Sequence, residues 1–207
     1  MSSGSAYKFP TGRSAGTTAW LRGVLLAAGL GCAAVLAAGA TYLGLQYLGG
    51  NFHTVVAGEL YRSGQPTPGR LRHYVHEAGI RTVINLRGRN TGAAWYDAEI
   101  AEAARLGVTH VDFAMSASRE LSGLQADALV QLLRNAEKPI LIHCEGGADR
   151  SGLAAALYLA AISKTSEAQA ESQMSLRFGH FSLPFLRSYA MDDTFENLEA
   201  SLGYTKS

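Results

Sequence analysis

Apolar residues follow two different patterns along the 207-residue chain. Residues 23–48 form an apolar stretch without a charged side chain. As a helix rising about 1.5 Å per residue, this stretch would reach about 39 Å, enough to cross a hydrocarbon core of about 30 Å. From Phe52 onward, short β-branched runs alternate with helical patterns. The chain therefore predicts one N-terminal transmembrane helix followed by an α/β domain.

The alternating region predicts a central, mostly parallel sheet of four to five strands flanked by helices. The fully apolar run Ile140–His143 is typical of the centre of such a sheet. The expected strands are Val55–Val56 and Leu60–Arg62, which form a hairpin, then Arg81–Leu86, Val108–Phe113 and Ile140–His143. The expected helices are the segment between a Thr67 cap and Gly79, then Ala93–Leu106, Ser122–Ala136, Arg150–Ile162, Ser166–Phe178, Pro184–Tyr189 and Asp192–Leu202.

The net charge of +1 is the sum of two unlike parts. Residues 1–58 hold no Asp or Glu and three basic residues, Lys8, Arg13 and Arg22. The rest of the chain holds the other 15 of the 18 Lys and Arg and all 17 Asp and Glu, a net charge of −2. This balance lacks the basic surface that nucleic-acid binding requires, so no nucleic-acid partner is expected. Two cysteines exclude a disulfide-stapled scaffold.

The charge layout also predicts a topology. The basic residues precede the apolar stretch, and the next Lys or Arg is Arg62. By the positive-inside rule we expect a basic cytoplasmic stub at 1–22, a transmembrane anchor or uncleaved signal at 23–48, and a globular domain at 49–207. The protein would be a single-pass inner-membrane protein with this domain on the periplasmic side. Residues 38–40 (Ala-Gly-Ala) have the form of a signal peptidase site, which leaves cleavage as the alternative.

The segment Ile140–Gly152 carries the candidate chemistry. An apolar strand ends at Cys144, a loop with Gly146 and Gly147 follows, and Arg150 begins a helix. Successive N–H groups in such a loop form an anion-binding nest, and the helix N-terminus adds partial positive charge. That field favours the thiolate form of Cys144, and Arg150 can bind an oxyanion through a bidentate fork. A thiolate facing a bound phosphate is a nucleophile suited to phosphoryl transfer.

The run His143-Cys144-x5-Arg150-Ser151-Gly152 resembles the signature of cysteine-based protein tyrosine and dual-specificity phosphatases. Residues 60–66 and 83–87 are similar to the atypical dual-specificity branch, here in a bacterial, membrane-anchored form. The resemblance covers about residues 52–178. It implies a dual-specificity phosphatase-like fold, with residues 49–207 as the phosphatase domain, and the hydrolysis of phosphomonoesters.

The resemblance also implies roles for residues 144–150, which we call the Cys–Arg loop. Cys144 would attack phosphorus and form a phosphocysteine, while Arg150 and the loop N–H groups stabilise the equatorial oxygens. Ser151 would hydrogen-bond the Cys144 sulfur, and His143 would hold the shape of the loop. No metal or other cofactor is implied. The expected substrate-binding residues are Glu145, Gly146, Gly147, Ala148, Asp149, Arg150 and Ser151.

A general acid must protonate the leaving oxygen, and two carboxyl groups compete for this role. Asp112 lies at a strand end, where the family commonly carries its acid loop. Asp149 lies inside the Cys–Arg loop, where an Asp-Arg pair resembles lipid and inositide phosphatases. We place Asp112 slightly ahead, with Glu120 and Asp127 behind both. The histidines outside the motif are scattered along the chain and show no metal-ligand spacing.

The substrate class is narrowed by the charge of the loop. Many phosphoinositide phosphatases carry lysines at positions that are Glu145, Gly147 and Ala148 in this chain. The negative charge of Glu145 disfavours highly phosphorylated inositides. The expected substrate is therefore phosphotyrosine in a protein, or a lipid phosphate in the cell envelope, with the membrane as a partner through the N-terminal helix. The alternative is a catalytically inactive, membrane-tethered phosphate-binding module.

Overall fold

The structure, a computed structural model, describes residues 15–204, with side chains from Trp20 onward. Residues 1–14, which include Lys8 and Arg13 of the predicted stub, lie outside the described residues. The chain divides into two compact units, one ending at Tyr42 and one beginning at Leu43.

The first helix, α1 (Ala15–Gly49), carries the predicted apolar stretch. Its segment Trp20–Gly49 reaches a mean hydropathy of 2.1, and no residue of its most apolar window is buried. Among the described residues, α1 is the one helix long and apolar enough to cross a membrane. The prediction of one N-terminal apolar helix is confirmed.

The second unit is built on a five-stranded sheet with the order β1-β2-β5-β3-β4. Its strands are β1 (His53–Val56), β2 (Leu60–Ser63), β3 (Thr82–Asn85), β4 (Thr109–Asp112) and β5 (Ile140–His143). Strand β1 pairs antiparallel with β2, whereas β2, β5, β3 and β4 run parallel to one another. The predicted α/β class, the hairpin and the central place of β5 are confirmed.

Local capping signals explain where most helices begin and end. Thr67 Oγ1 accepts a hydrogen bond from the Arg70 N–H at 3.3 Å, and Gly79 ends the same helix with φ of 67°. Ser122 and Gln125 form a capping box. The first four helices of the second unit fall within one residue of their predicted bounds, and side-chain caps begin the first and the third of them. These helices are α2 (Pro68–Ala78), α3 (Ala94–Leu106), α4 (Gly123–Asn135) and α5 (Asp149–Ala161).

The chain after α5 departs from the prediction. The single predicted helix Ser166–Phe178 is wrong, because α6 (Glu167–Glu171) is short and the chain turns again only as a 3₁₀ helix at Leu176–Phe178. The carbonyl of Gln173, between these two turns, accepts a hydrogen bond from the buried Arg62 guanidinium at 2.6 Å. A long-range partner therefore takes a carbonyl that a continuous helix would have used.

The last two predicted helices are also corrected. Only Arg187–Tyr189 of the predicted helix Pro184–Tyr189 is helical, as a 3₁₀ turn. Helix α7 (Ala190–Leu202) follows it directly and begins before the predicted Asp192. Residues 179–186 are therefore an irregular segment that leads from one 3₁₀ turn to the next.

Side chains of β5 pack on both faces of the sheet, because successive side chains along a strand point to opposite faces. Ile140 and Ile142 join the cluster formed with α4, α5 and α7. Leu141 joins the second cluster, formed with α2 and α3. All three side chains are fully buried, so the sheet fixes the position of the residue that follows β5, Cys144.

The register brings four strand ends to one edge of the sheet. Ser63, His143, Asn85 and Asp112 lie in one row across β2, β5, β3 and β4. In open α/β sheets, ligands bind outside the carboxyl ends of the strands, where the following loops gather. This edge therefore holds the candidate site.

Candidate active site

The thiol of Cys144 lies at the base of the Cys–Arg loop. Cys144 is only 3% exposed. The Gly147 N–H donates to its Sγ at 3.3 Å, and the Ser151 hydroxyl lies 3.6 Å from the same sulfur. The predicted contact between Ser151 and the Cys144 sulfur is therefore present.

The backbone of the loop is turned so that its carbonyl groups point outward. Each carbonyl from Glu145 to Ala148 accepts a hydrogen bond from outside the loop. The donors are the Gln65 N–H to Glu145 (3.0 Å), Asn51 Nδ2 to Gly146 (3.0 Å), and Arg62 Nη2 to Gly147 (2.9 Å) and Ala148 (2.8 Å). In a trans peptide the C=O and the following N–H point in opposite directions. The N–H groups of residues 146–149 therefore face the interior of the loop and form an anion-binding nest.

Gly147 is required by both conformation and space. Its φ of 74° lies in the left-handed region, which favours glycine. A Cβ at this position would lie 2.6 Å from the carbonyl carbon of Ser63 in β2. The loop therefore packs directly on the neighbouring strand through this glycine.

Arg62 supports the loop from below, a role that the sequence did not reveal. Its side chain is fully buried and reaches Gln173 as well as the loop carbonyls, and its guanidinium lies 4.3 Å from the centre of the Phe178 ring. Burial lowers the pKa of Arg62 to about 10, although the nearby charges of Cys144 and Asp149 oppose this shift. The available signal was the position of this arginine within the short strand β2, whose residues are mostly buried.

We expect Arg62→Met to destabilise the protein by about 3 kcal/mol or more, because several buried carbonyls lose their donor. Urea unfolding of the full chain in detergent, followed by tryptophan fluorescence, measures this loss. Arg72→Met is the matched control. Arg72 is half-exposed, and its partner Glu102 keeps a second ion pair with Arg105, so this substitution should cost clearly less. Equal effects of the two substitutions would contradict the supporting role of Arg62.

Arg150 lies at the end of the loop, and part of the hydrogen-bonding capacity of its guanidinium is unused. Its side chain is 15% exposed, and Nη2 lies 3.9 Å from Oε2 of Glu145, whose side chain is 68% exposed. The Nε atom of Arg150 is buried and has no hydrogen-bond partner among the described residues. A bound oxyanion would supply that partner, so the arrangement is suited to binding phosphate.

The two acid candidates occupy different places. Asp112 ends β4, separated from β5 by β3. Its Oδ1 accepts from Asn85 Nδ2 at 2.9 Å and its Oδ2 from the Tyr96 hydroxyl at 2.6 Å. Asp149 is the first residue of α5, inside the loop and next to Arg150. Asp149 is thus part of the Cys–Arg loop itself, whereas Asp112 lies two strands away from β5.

Asp149 belongs to a buried cluster that sequence reasoning missed. Its Oδ1 lies 2.7 Å from Nδ1 of His180, and Nε2 of His180 lies 2.8 Å from Oδ2 of Asp192 in α7. Burial alone would lower the pKa of His180, but the hydrogen bonds to the two carboxylates outweigh it and raise that pKa above its ordinary value. The cluster therefore favours the protonated form of His180.

A second buried cluster holds His143. Glu99 Oε1 accepts from Nε2 of His143 at 2.8 Å and from Nε2 of His110 at 2.7 Å, while Gln65 donates to Oε2. Burial raises the pKa of Glu99, but the two imidazole hydrogen bonds lower it to about 2. His110, which the sequence analysis counted among the scattered histidines, thus lies close to His143, and with Glu99 the two are close enough to hold a metal ion. The hydrogen bonds already engage this carboxylate, so the cluster is suited to orienting His143 beneath the loop.

Comparison with known proteins identifies the family. The model of the PTP-SAK family, described as Swiss Army Knife protein, DSP-PTPase phosphatase domain, matches residues 50–195. No curated protein matches the chain.

Solved structures share its fold at low sequence identity. A variant of P. aeruginosa TpbA in complex with pTyr is 20% identical, with a TM-score of 0.57, over 76% of this chain and 93% of that one. The core catalytic domain of the PP-IP phosphatase SIW14 from S. cerevisiae is 20% identical, with a TM-score of 0.55, over 73% and 91%. PTPMT1 is 16% identical, with a TM-score of 0.55, over 72% and 97%. The family match spans the sheet, the Cys–Arg loop and the start of α7. The chain therefore belongs to the PTP-SAK family of DSP-PTPase phosphatase domains and is a cysteine-dependent phosphatase.

Proposed function

We propose that the chain hydrolyses phosphomonoesters through a covalent intermediate on Cys144. The outward hydrogen bonding of the loop carbonyls carries this proposal, because it directs the loop N–H groups toward the Cys144 sulfur. A phosphate bound by residues 145–151 would face the thiolate, these N–H groups and Nε of Arg150 together. The test is the loss of activity in Cys144→Ser, described in the Discussion.

The reaction takes place in two displacements. In the first, the Cys144 sulfur forms an S–P bond while the P–O bond to the leaving group breaks, and a general acid protonates the leaving oxygen. In the second, water attacks phosphorus and gives up a proton to the same group while the S–P bond breaks. The Ser151 hydroxyl, 3.6 Å from Sγ, stabilises the departing thiolate. Inorganic phosphate and the alcohol are the products.

We propose Asp149 as the general acid, with Asp112 as the competing candidate. Asp149 lies in the loop, and among the described residues only its Oδ1 is engaged by hydrogen bonding, whereas both oxygens of Asp112 are engaged. The hydrogen bond from His180 to Oδ1 holds the Asp149 carboxyl in place, and Asp149 stays deprotonated after the first displacement, ready to accept the proton of the attacking water.

The pH dependence of kcat distinguishes the two carboxyl groups. A general acid loses activity as the pH rises through its pKa, so Asp149→Asn should flatten this descending limb for alkyl phosphates. It should also lower their kcat by about 10²-fold while sparing para-nitrophenyl phosphate, whose leaving group needs little protonation. Asp112→Asn is the matched control and should keep the wild-type profile. The reverse pattern would assign the role to Asp112.

The substrate is proposed to carry a single phosphomonoester. The carboxylate of Glu145 lies at the mouth of the loop beside Arg150, where it repels additional phosphates. TpbA binds pTyr in its solved complex, which supports phosphotyrosine as one candidate for this chain. A lipid phosphate is the other candidate.

We propose that α1 anchors the protein in the inner membrane as a single span, with the phosphatase domain at 49–207 on the periplasmic side. The apolar helix and the basic residues that precede it support this topology. Alkaline phosphatase fused after Ser207 should then be active in a bacterial host. An inactive fusion at normal expression would place the domain in the cytoplasm.

A further inference from the structure

An apolar groove lies directly beside the Cys–Arg loop in the second unit. Its volume is about 430 Å³. It is lined by Leu43, Gly44 and Tyr47 of α1, by Gly146 and Ala148 of the loop, and by Phe181. Because Gly146 and Ala148 belong to the loop, hydrocarbon in this groove would lie next to a phosphate bound by the loop.

The end of α1 forms one wall of the groove. Leu43 is half-buried beside Gly179, and Gln46 Nε2 donates to the Arg177 carbonyl at 3.0 Å. The exposed apolar side chains of these two turns are Leu45, Tyr47 and Leu48, of which Tyr47 also lines the groove. The last two turns of α1 therefore pack on the phosphatase domain and also present exposed hydrocarbon.

Phe178, Gly179 and Phe181 form the other wall, and they belong to the segment Leu176–Tyr189, which has an unusual composition. It contains no Asp or Glu and has two exposed arginines, Arg177 and Arg187. Four of its large apolar side chains are exposed, and Phe185 is 81% exposed. These four side chains are Leu176, Phe181, Leu183 and Phe185. Aromatic and basic residues without acidic ones are typical of segments that lie in the interface of an anionic membrane.

The segment contacts α1 near the end of the helix, at the level expected for a membrane interface. The candidate span ends at Gly49. Leu43, which contacts the segment, precedes Gly49 by about 9 Å along the helix axis. Interfacial segments bury their apolar side about 5–10 Å into the headgroup and acyl boundary. If α1 enters the bilayer at Gly49, the part of the segment around Gly179 lies at this depth.

We propose that Leu45, Tyr47 and Leu48 together with residues 176–186, which we call the apolar rim, dock on the anionic lipid bilayer that α1 enters. The groove then opens among the lipid headgroups of one leaflet, and the substrate is a lipid phosphomonoester whose hydrocarbon lies in the groove. This inference rests on the proposed function and selects the lipid among its two candidate substrates. Arg177 and Arg187 complement the negative surface of the leaflet.

Fluorescence quenching tests the docking without reference to activity. The full chain carrying Phe185→Trp is reconstituted in nanodiscs of phosphatidylcholine and phosphatidylglycerol, with and without doxyl-labelled acyl chains. We expect the doxyl lipid to quench most of the fluorescence added by this substitution. Leu124→Trp is the matched control, because Leu124 is 84% exposed on α4, which is not part of the rim, and its added fluorescence should not be quenched. Equal quenching at both positions would overturn the proposal. So would a Phe185→Trp signal that responds to protein concentration and not to doxyl lipid, which would indicate a second copy as the occupant.

A rate ratio tests the substrate class. The full chain acts on phosphatidic acid in the same nanodiscs and on soluble para-nitrophenyl phosphate. Phe185→Asp should lower the ratio of the lipid rate to the aryl phosphate rate by about tenfold or more, because a charge replaces an inserted aromatic ring. Leu124→Asp is the control and should leave this ratio of rates unchanged, because it places the same charge outside the rim.

The two proposals fail in different ways. If Phe185→Asp leaves the ratio unchanged while aryl phosphate hydrolysis depends on Cys144, the docking inference is wrong and the proposed function stands. If aryl phosphate hydrolysis does not depend on Cys144, the proposed function itself is wrong.

Discussion

Replacing Cys144 with serine is expected to lower kcat for para-nitrophenyl phosphate by about 10⁴-fold or more. A serine hydroxyl stays protonated near neutral pH and is a far weaker nucleophile than a thiolate. The exchange puts a smaller atom at a buried position, and the carbonyl contacts of the loop do not depend on the sulfur, so the fold should be retained. Initial rates of the full chain in nanodiscs provide the measurement.

Cys32→Ser is the control for this substitution. Cys32 is the other cysteine of the chain and is exposed on α1, so its replacement should leave kcat unchanged. Comparable rates for Cys144→Ser and the wild type would rule out covalent catalysis at Cys144. They would also favour the alternative that the chain is a catalytically inactive phosphate-binding module and that another protein hydrolyses the substrate.

Arg150→Lys is expected to lower kcat by about 10³-fold, although it keeps the positive charge. The lysine ammonium cannot reproduce the planar fork of the guanidinium or place a donor where the buried Nε lies. The equatorial oxygens would lose the contacts that strengthen in the transition state, so kcat should fall more than KM rises.

Arg134→Lys makes the same chemical change on α4, where the guanidinium hydrogen-bonds to the Ala161 carbonyl at 3.4 Å. It should keep wild-type kcat. A loss confined to KM in Arg150→Lys would mean that Arg150 binds the ground state without stabilising the transition state. A loss of equal size in both variants would indicate a general effect on folding.

The local parts of this account could be predicted from the sequence. The apolar run of β5, the cap at Thr67 and the spacing from Cys144 to Arg150 all depend on neighbouring residues, and the structure contains each of them. Such short-range signals are independent of how distant segments meet.

The supporting residues could not be predicted, because their partners lie far away in the chain. Arg62 holds the carbonyls of Gly147 and Ala148, which are 85 and 86 positions distant. His180 reaches Asp149, which is 31 positions distant. The failed helix prediction after α6 has the same cause, since Gln173 bonds to Arg62 instead of continuing the helix. Buried polar groups find their partners in three dimensions, and sequence spacing does not reveal them.

The direct test of the central claim is detection of phosphorus on Cys144. The full chain carrying Ser151→Ala, which removes the hydroxyl beside the sulfur, should release phosphate slowly and accumulate the intermediate. After rapid mixing with para-nitrophenyl phosphate and quenching in denaturant, peptide mass spectrometry should find one added phosphoryl group on the peptide that contains Cys144. A phosphoryl group on another residue, or turnover with no labelled peptide under conditions that trap a synthetic phosphocysteine standard, would contradict the mechanism.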